Sequence, residues 1–231
     1  MKIQLVPAAN QILYIGFKVV LIAFLIGCNK QNRSAGQNST NNTNRVGGDC
    51  EAGYCELMYL AMPNEMNSVD TSAGWFEQGQ KLLVTGTVFQ IDGTTPAPGV
   101  ILYYHQTDNN GYYSPGDGKP ENRSRHGHIR GWVKTGEDGK YSIYTIRPAP
   151  YPNENLPAHI HWLIKEPDIK NEYWVDDVVF EDDALLIPYS RKHPFENRGG
   201  NGIVRVSTKD ELQIAEHNFV LGLNIPNYPK K

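Results

Sequence analysis

The stretch IRGWVKTGEDGKYSIYTI, residues 129–146, sets two short apolar runs on either side of Gly136-Glu137-Asp138-Gly139. β-Branched and aromatic residues fill both runs, as a pleated, half-buried surface prefers. The Gly- and Asp-rich turn between them reads as a hairpin connection. The same grammar continues in both directions. Upstream, residues 81–91 (KLLVTGTVFQI) end at Asp92-Gly93, and residues 100–105 (VILYYH) run into Asp108-Asn109-Asn110-Gly111. Downstream, residues 158–165 (AHIHWLIK), 175–180, 203–207 and 216–223 bring the strands to about eight. Helix is expected only at 68–79 and at 208–215, where Thr208 and Glu211 have capping-box spacing. The expected fold is all-β: an antiparallel β-sandwich or open barrel with long functional loops and little helix. The loops at 111–128 and 148–157 exceed ordinary hairpin turns, and loops of that length carry function.

Composition agrees. The 231 residues include 22 Gly and 15 Pro, about 16% against an average of ~12%, as many turns between short strands require. A formal charge of −3 excludes a broad nucleic-acid surface, which needs a clustered basic excess. The 39% hydrophobic content excludes both wholesale disorder and a polytopic membrane protein.

The N-terminus reads as an address. Lys2 and Lys18 precede an uncharged apolar run at 19–27 (VVLIAFLIG), and Cys28 follows at once. This is secretory-signal patterning rather than a spanning helix. Leu25-Ile26-Gly27-Cys28 resembles a bacterial lipobox, which implies acylation of Cys28 and a membrane reached through a lipid anchor. Residues 1–27 are then a leader, 28–48 a flexible tether too poor in apolar residues to bury a core, and 49–231 the globular domain. Asn29 is not the Asp that retains some lipoproteins at the inner membrane, so an outer-membrane or periplasmic address is expected. Cys50 and Cys55 are expected to pair as a disulfide in an exported chain.

The chemistry-bearing segment is Pro157-Ala158-His159-Ile160-His161. On a strand, residues i and i+2 point to one face, so both imidazoles can reach one metal ion. Upstream, Tyr151 stands among the prolines of Arg147-Pro148-Ala149-Pro150-Tyr151-Pro152.

With GYYSPGD (111–117) and TGEDGKYSIYTIRPAPYP (135–152), these motifs resemble the intradiol ring-cleavage dioxygenases, whose members include protocatechuate 3,4-dioxygenase and catechol 1,2-dioxygenase. The resemblance covers roughly residues 86–180 and implies a β-sandwich holding non-haem Fe(III) through Tyr113, Tyr151, His159 and His161. Tyr112 replaces Tyr113 if the register slips by one. It also implies Tyr151 and His159 as the axial ligand pair, and Tyr151 as acceptor of a substrate proton. The implied reaction uses O2 to open a small aromatic diol between its hydroxyl-bearing carbons. A free phenol, with its pKa near ~10, is a poor ligand at neutral pH, but a trivalent cation takes its proton. Two hard phenolates then suit Fe(III) and disfavour zinc.

The chain departs from the family at Leu156, where an Arg that stabilises a developing carbanion is usual, and at Asp177, near an expected Gln. Arg130 is the expected catalytic substitute for that Arg, with Arg147 second. His126 and His128 read as lying behind the site or on the surface, Glu181-Asp182-Asp183 as a solvated edge, and His105 has no partner nameable from sequence. The competing reading is a non-catalytic binding module for aromatics or iron that has lost turnover with the Arg. The resemblance leaves room for a homo-oligomer.

Overall fold

The computed structural model describes residues 44–230; the expected leader, Cys28 and the tether as far as residue 43 lie outside the described residues. The chain is an all-β, two-sheet sandwich with little helix, as expected. In chain order its strands are β1 (Val69–Thr71), β2 (Lys81–Phe89), β3 (Ile101–Gln106), β4 (Arg130–Lys134), β5 (Lys140–Ile146) and β6 (His159–Lys165). They continue with β7 (Tyr173–Phe180), β8 (Ile203–Val204), β9 (Val206–Lys209), β10 (Leu212–Glu216) and β11 (Phe219–Val220). One sheet has the order β1-β5-β2-β10-β9 with β11 also on β2; the other has the order β4-β3-β6-β7-β8. Among the described residues the one α-helix is the short α1 (Leu186–Ser190), with 3-10 turns at Glu51–Tyr59, Ala73–Phe76 and Pro120–Arg123.

Strict alternation in β2 buries Leu82, Val84, Gly86 and Val88 against the second sheet. There they meet Leu102, Tyr104, Ile160, Trp162 and Ile164. Trp162 packs on Tyr104, Tyr141 and Phe219 with ring centroids 5.4–5.7 Å apart, within the range that tilted and edge-on aromatic pairs favour.

Four local expectations give way, the first at residues 68–79, which hold β1 and a short 3-10 turn rather than a helix. The turn at 136–139 does not close a hairpin: β4 pairs with β3, and β5 pairs with β2 in the other sheet. The two ends of the turn are claimed by different sheets, since Thr135 binds the Val100 backbone beside β3 while Val88 of β2 donates to Gly139 O at 2.9 Å. Residues 208–215 are not helix but the β9–β10 hairpin, joined by Asp210-Glu211. Asp210 has φ +53°, a left-handed value that fits a two-residue hairpin turn and ends any helix begun at Thr208. The main ladders are antiparallel, but β1, β8, β10 and β11 join their neighbours in parallel.

The Cys50–Cys55 disulfide is present, with Cα atoms 5.7 Å apart. Cys55 and Met58 pack on Tyr103 and Leu163, and Trp132 Nε1 donates to Met58 O at 2.8 Å. This stapled turn therefore covers the outer face of the second sheet. The last residues of the stretch read as tether also touch the domain: Val46 packs against the core, and Arg45 pairs with Glu172. No helix of the described residues is long and apolar enough to cross a membrane.

Candidate metal centre

Two loops and one strand build the site. The 111–128 loop carries Tyr113, and Asp108 shapes its start. The Asp108 carboxylate accepts from Asn110 N (2.8 Å) and Tyr112 N (3.1 Å), an Asx-type turn. Asp108 O accepts from Ala149 N at 3.1 Å, so the same residue ties this loop to the proline-rich arm that carries Tyr151. Gly111 lets the two come close. Its φ is +84°, and a Cβ there would stand 2.2 Å from Pro150 O. At the far end, His128 holds the loop through Ser114 O (Nδ1, 2.7 Å) and Glu77 Oε1 (Nε2, 2.5 Å). Gly111→Ala should cost at least about 1–2 kcal/mol from the left-handed backbone alone, and should push the two tyrosines apart. Thermal unfolding and metal content measured together check this; the expected result is a fall in both.

The four expected ligands come together. Tyr113 Oη lies 2.7 Å from Tyr151 Oη. Tyr151 Oη lies 3.1 Å from His159 Nε2 and 3.3 Å from His161 Nε2, and the two Nε2 atoms are 3.1 Å apart. Two donors each about 2.1 Å from one cation and at right angles are about 3.0 Å apart. Of the two adjacent tyrosines it is Tyr113 that meets Tyr151, while Tyr112 is 58% exposed.

Proton placement explains why these atoms face one another. His159 Nδ1 lies 2.8 Å from Pro157 O and His161 Nδ1 lies 2.8 Å from Asp177 Oδ1. A carbonyl and a carboxylate only accept, so each Nδ1 carries a proton and each Nε2 is turned inward, where a neutral ring offers a lone pair to a cation. With both rings neutral, the two Nε2 atoms 3.1 Å apart have no proton to share, and a cation between them takes both lone pairs. Burial, then His161, lowers the His159 pKa and keeps that ring a neutral donor. Burial, then Tyr151, pushes the Tyr113 phenol far above its usual range. Such a phenol gives up its proton only to a strong positive charge. The donor set thus fits a hard, highly charged metal.

Asp177 reaches His161 through a bulge. Ile160 pairs with Val178 and Trp162 with Val175, so His161 faces two residues of β7. Bulges re-aim side chains in this way beside active sites. Burial alone would raise the Asp177 carboxyl, but His161 and His159 outweigh it and hold it below the usual range. The acidic run is not a mere solvated edge: Asp183 accepts from Ala158 N at 2.8 Å, directly before His159, while Asp182 pairs with Arg147 and Glu181 with Arg205. Arg147 is held by Asp182 and stacked over Phe180 at 4.4 Å.

Arg130 is buried on the same face as His161, one strand further out, with His105 between them in register. It donates to Glu121 O at 3.2 Å and lies 5.7 Å from the Trp132 ring, while its Nη1 has no hydrogen-bond partner among the described residues. It does not join the converging four. Leu156 is half-buried just before β6. Sequence reasoning missed two groups behind the site, the Asp177 carboxylate and His105. The nearest signal was Asp177 standing where the family has a polar Gln.

A two-sheet sandwich with two phenols and two imidazoles converging from one sheet and its loops defines a candidate metal centre of mixed phenol and imidazole donors. Residues 57–192 match the profile of a family described as Dioxygenase, and the chain belongs to that family, the intradiol type of dioxygenase. Catechol 1,2-dioxygenase 1 of Acinetobacter lwoffii is 32% identical over 104 residues, covering 38% of this chain and 32% of the relative. Catechol 1,2-dioxygenase of Acinetobacter baylyi is 29% identical over 124 residues, covering 46% and 39%. The matched stretch therefore spans about a third of the length of these curated relatives. Among solved structures, the dioxygenase domain of a dioxygenase–carbohydrate-binding fusion from the cellulolytic Streptomyces sp. SirexAA-E superposes with TM-score 0.51 at 21% identity, over 69% of this chain and 91% of that one. Hydroxyquinol 1,2-dioxygenase of Pseudomonas putida gives TM-score 0.51 at 23% identity, over 69% and 61%. At these identities the likeness speaks for the fold.

Proposed function

We propose that this protein is an intradiol ring-cleavage dioxygenase that holds Fe(III) through Tyr113, Tyr151, His159 and His161 and opens a catechol-type diol with O2. The observation that carries the reading is that Tyr151 Oη lies within 2.7–3.3 Å of Tyr113 Oη, His159 Nε2 and His161 Nε2, with the two Nε2 atoms 3.1 Å apart. Bound iron supplies Lewis acidity toward the phenolates and the diol, and the redox centre through which the ring meets O2. The chain's own residues do the rest. Pro157 O and Asp177 fix the tautomers of the two ligand histidines. Tyr151, within reach of all three other donors, accepts a proton from the incoming diol. Arg130 is proposed as the cation that takes the place of the Arg replaced by Leu156, and its unpartnered Nη1 supports that role.

Tyr151→Phe tests the proton role. The variant should keep part of its iron, change colour as one phenolate is lost, and lose about 10²–10⁴-fold in turnover, the usual worth of a positioned acid–base group. Oxygen uptake on catechol by equally loaded proteins measures it. Unchanged turnover would remove Tyr151 from proton transfer.

We also propose that the protein is exported and lipid-anchored at Cys28, on a bacterial membrane facing the periplasm or outside. The Leu25-Ile26-Gly27-Cys28 motif and the Cys50–Cys55 disulfide support this. The binding-module reading rests on Leu156 and on Arg130 leaning toward Glu121 and Trp132. Coloured, iron-loaded protein without oxygen uptake would favour it.

A further inference from the structure

We infer that His105 is a positioning residue for His161, fixing the plane of that imidazole by ring stacking; this rests on the metal-site reading above. His105 and His161 are direct cross-strand partners in the β3–β6 ladder, so their side chains leave the sheet side by side on one face. The two rings stack, with centroids 4.6 Å apart and planes 26° apart. On its other face His105 stacks on His126, at 3.6 Å and 6°. His126 is in turn held by Tyr103 Oη, 2.8 Å from its Nδ1, and Tyr103 is fully buried. Three imidazoles thus form a pile that begins at an anchored tyrosine and ends on a proposed ligand.

The pile supplies what Asp177 cannot. The Asp177 contact grips the Nδ1 edge of His161, and contacts at a ring's edge restrain rocking about χ2, a broad and soft torsion in histidine, less than contact on its face. Contact on the ring face blocks that rocking and keeps Nε2 aimed at the other three donors. His105 is suited to act through its faces, because its buried Nδ1 has no hydrogen-bond partner among the described residues. The lone pair of a ligand is useful only in the correct direction, and residues behind the ligands set that direction.

The test compares full-length wild type, His105→Ala, His105→Phe and His105→Gln. Each is loaded with iron, titrated against a competing chelator, and recorded for its phenolate-to-iron absorption band. His105→Ala and the size-matched, ringless His105→Gln should bind iron about 10–100-fold more weakly, the usual cost of removing a group that orients a ligand, with a shifted and broadened band. His105→Phe, which restores a flat ring without nitrogen, should recover most of the affinity and the band. His105→Gln serves where alanine leaves the chain unfolded. Ringless variants with wild-type affinity and band would overturn the inference. So would a Phe variant as impaired as the ringless ones, since that would assign the effect to the nitrogens. Wild-type protein that takes up no iron would instead refute the metal-site reading beneath it.

Discussion

Replacing either His159 or His161 with alanine should reduce bound iron to background and abolish the colour of the loaded protein. Each substitution removes an imidazole whose Nε2 already faces the other donors. Asp177 supports His161 from its Nδ1 side, so in His161→Ala the carboxylate is left with an empty space in front of it rather than a ligand. The sandwich itself should survive, because the core around Trp162, Tyr104, Tyr141 and Phe219 lies on the opposite face of the sheet. Elemental analysis with thermal unfolding of the metal-free proteins separates the two effects. Variants that bind iron as tightly as wild type would remove these histidines from the site.

The second large effect is expected at Arg130. If its guanidinium supplies the positive charge that Leu156 does not, Arg130→Ala should lower turnover about a hundredfold, or ~3 kcal/mol of barrier, with iron content unchanged. Pre-organised charge beside a developing carbanion is worth about that much. Steady-state oxygen uptake by equally loaded proteins measures it. A variant with normal turnover but reduced thermal stability would show that Arg130 only braces Glu121 and Trp132, and would strengthen the binding-module reading.

Much of the fold could be read from local pattern. The run at 140–146 is β5 residue for residue, because alternation with β-branched and aromatic residues is a local signal. The sheet assignment of β4 and β5 was not local: Gly136-Glu137-Asp138-Gly139 shows where the chain turns, but only Val100 and Val88, distant in sequence, decide which sheet each end joins. The reading at Thr208 failed for a related reason, since a capping-box spacing is satisfied equally by a two-residue turn when Asp210 adopts a left-handed backbone. In the site, Tyr113, Tyr151, His159 and His161 were legible because their motifs are short and linked. Asp177 was not, because its approach to His161 depends on a bulge, which leaves no periodic mark in β7. His105 was opaque because both of its stacking partners reach it across strands or from a loop. Arg147 could not be set aside until Asp182 and Phe180 were seen to hold it.

The central claim is ring opening with O2 at an iron held by these four residues. The most direct measurement follows oxygen consumption and product mass when the iron-loaded full chain meets a panel of catechols. The account predicts one O2 consumed per catechol, and a dicarboxylic acid heavier than its substrate by both oxygen atoms and opened between the hydroxyl-bearing carbons. Iron-loaded, coloured protein that consumes no oxygen with any catechol would contradict it.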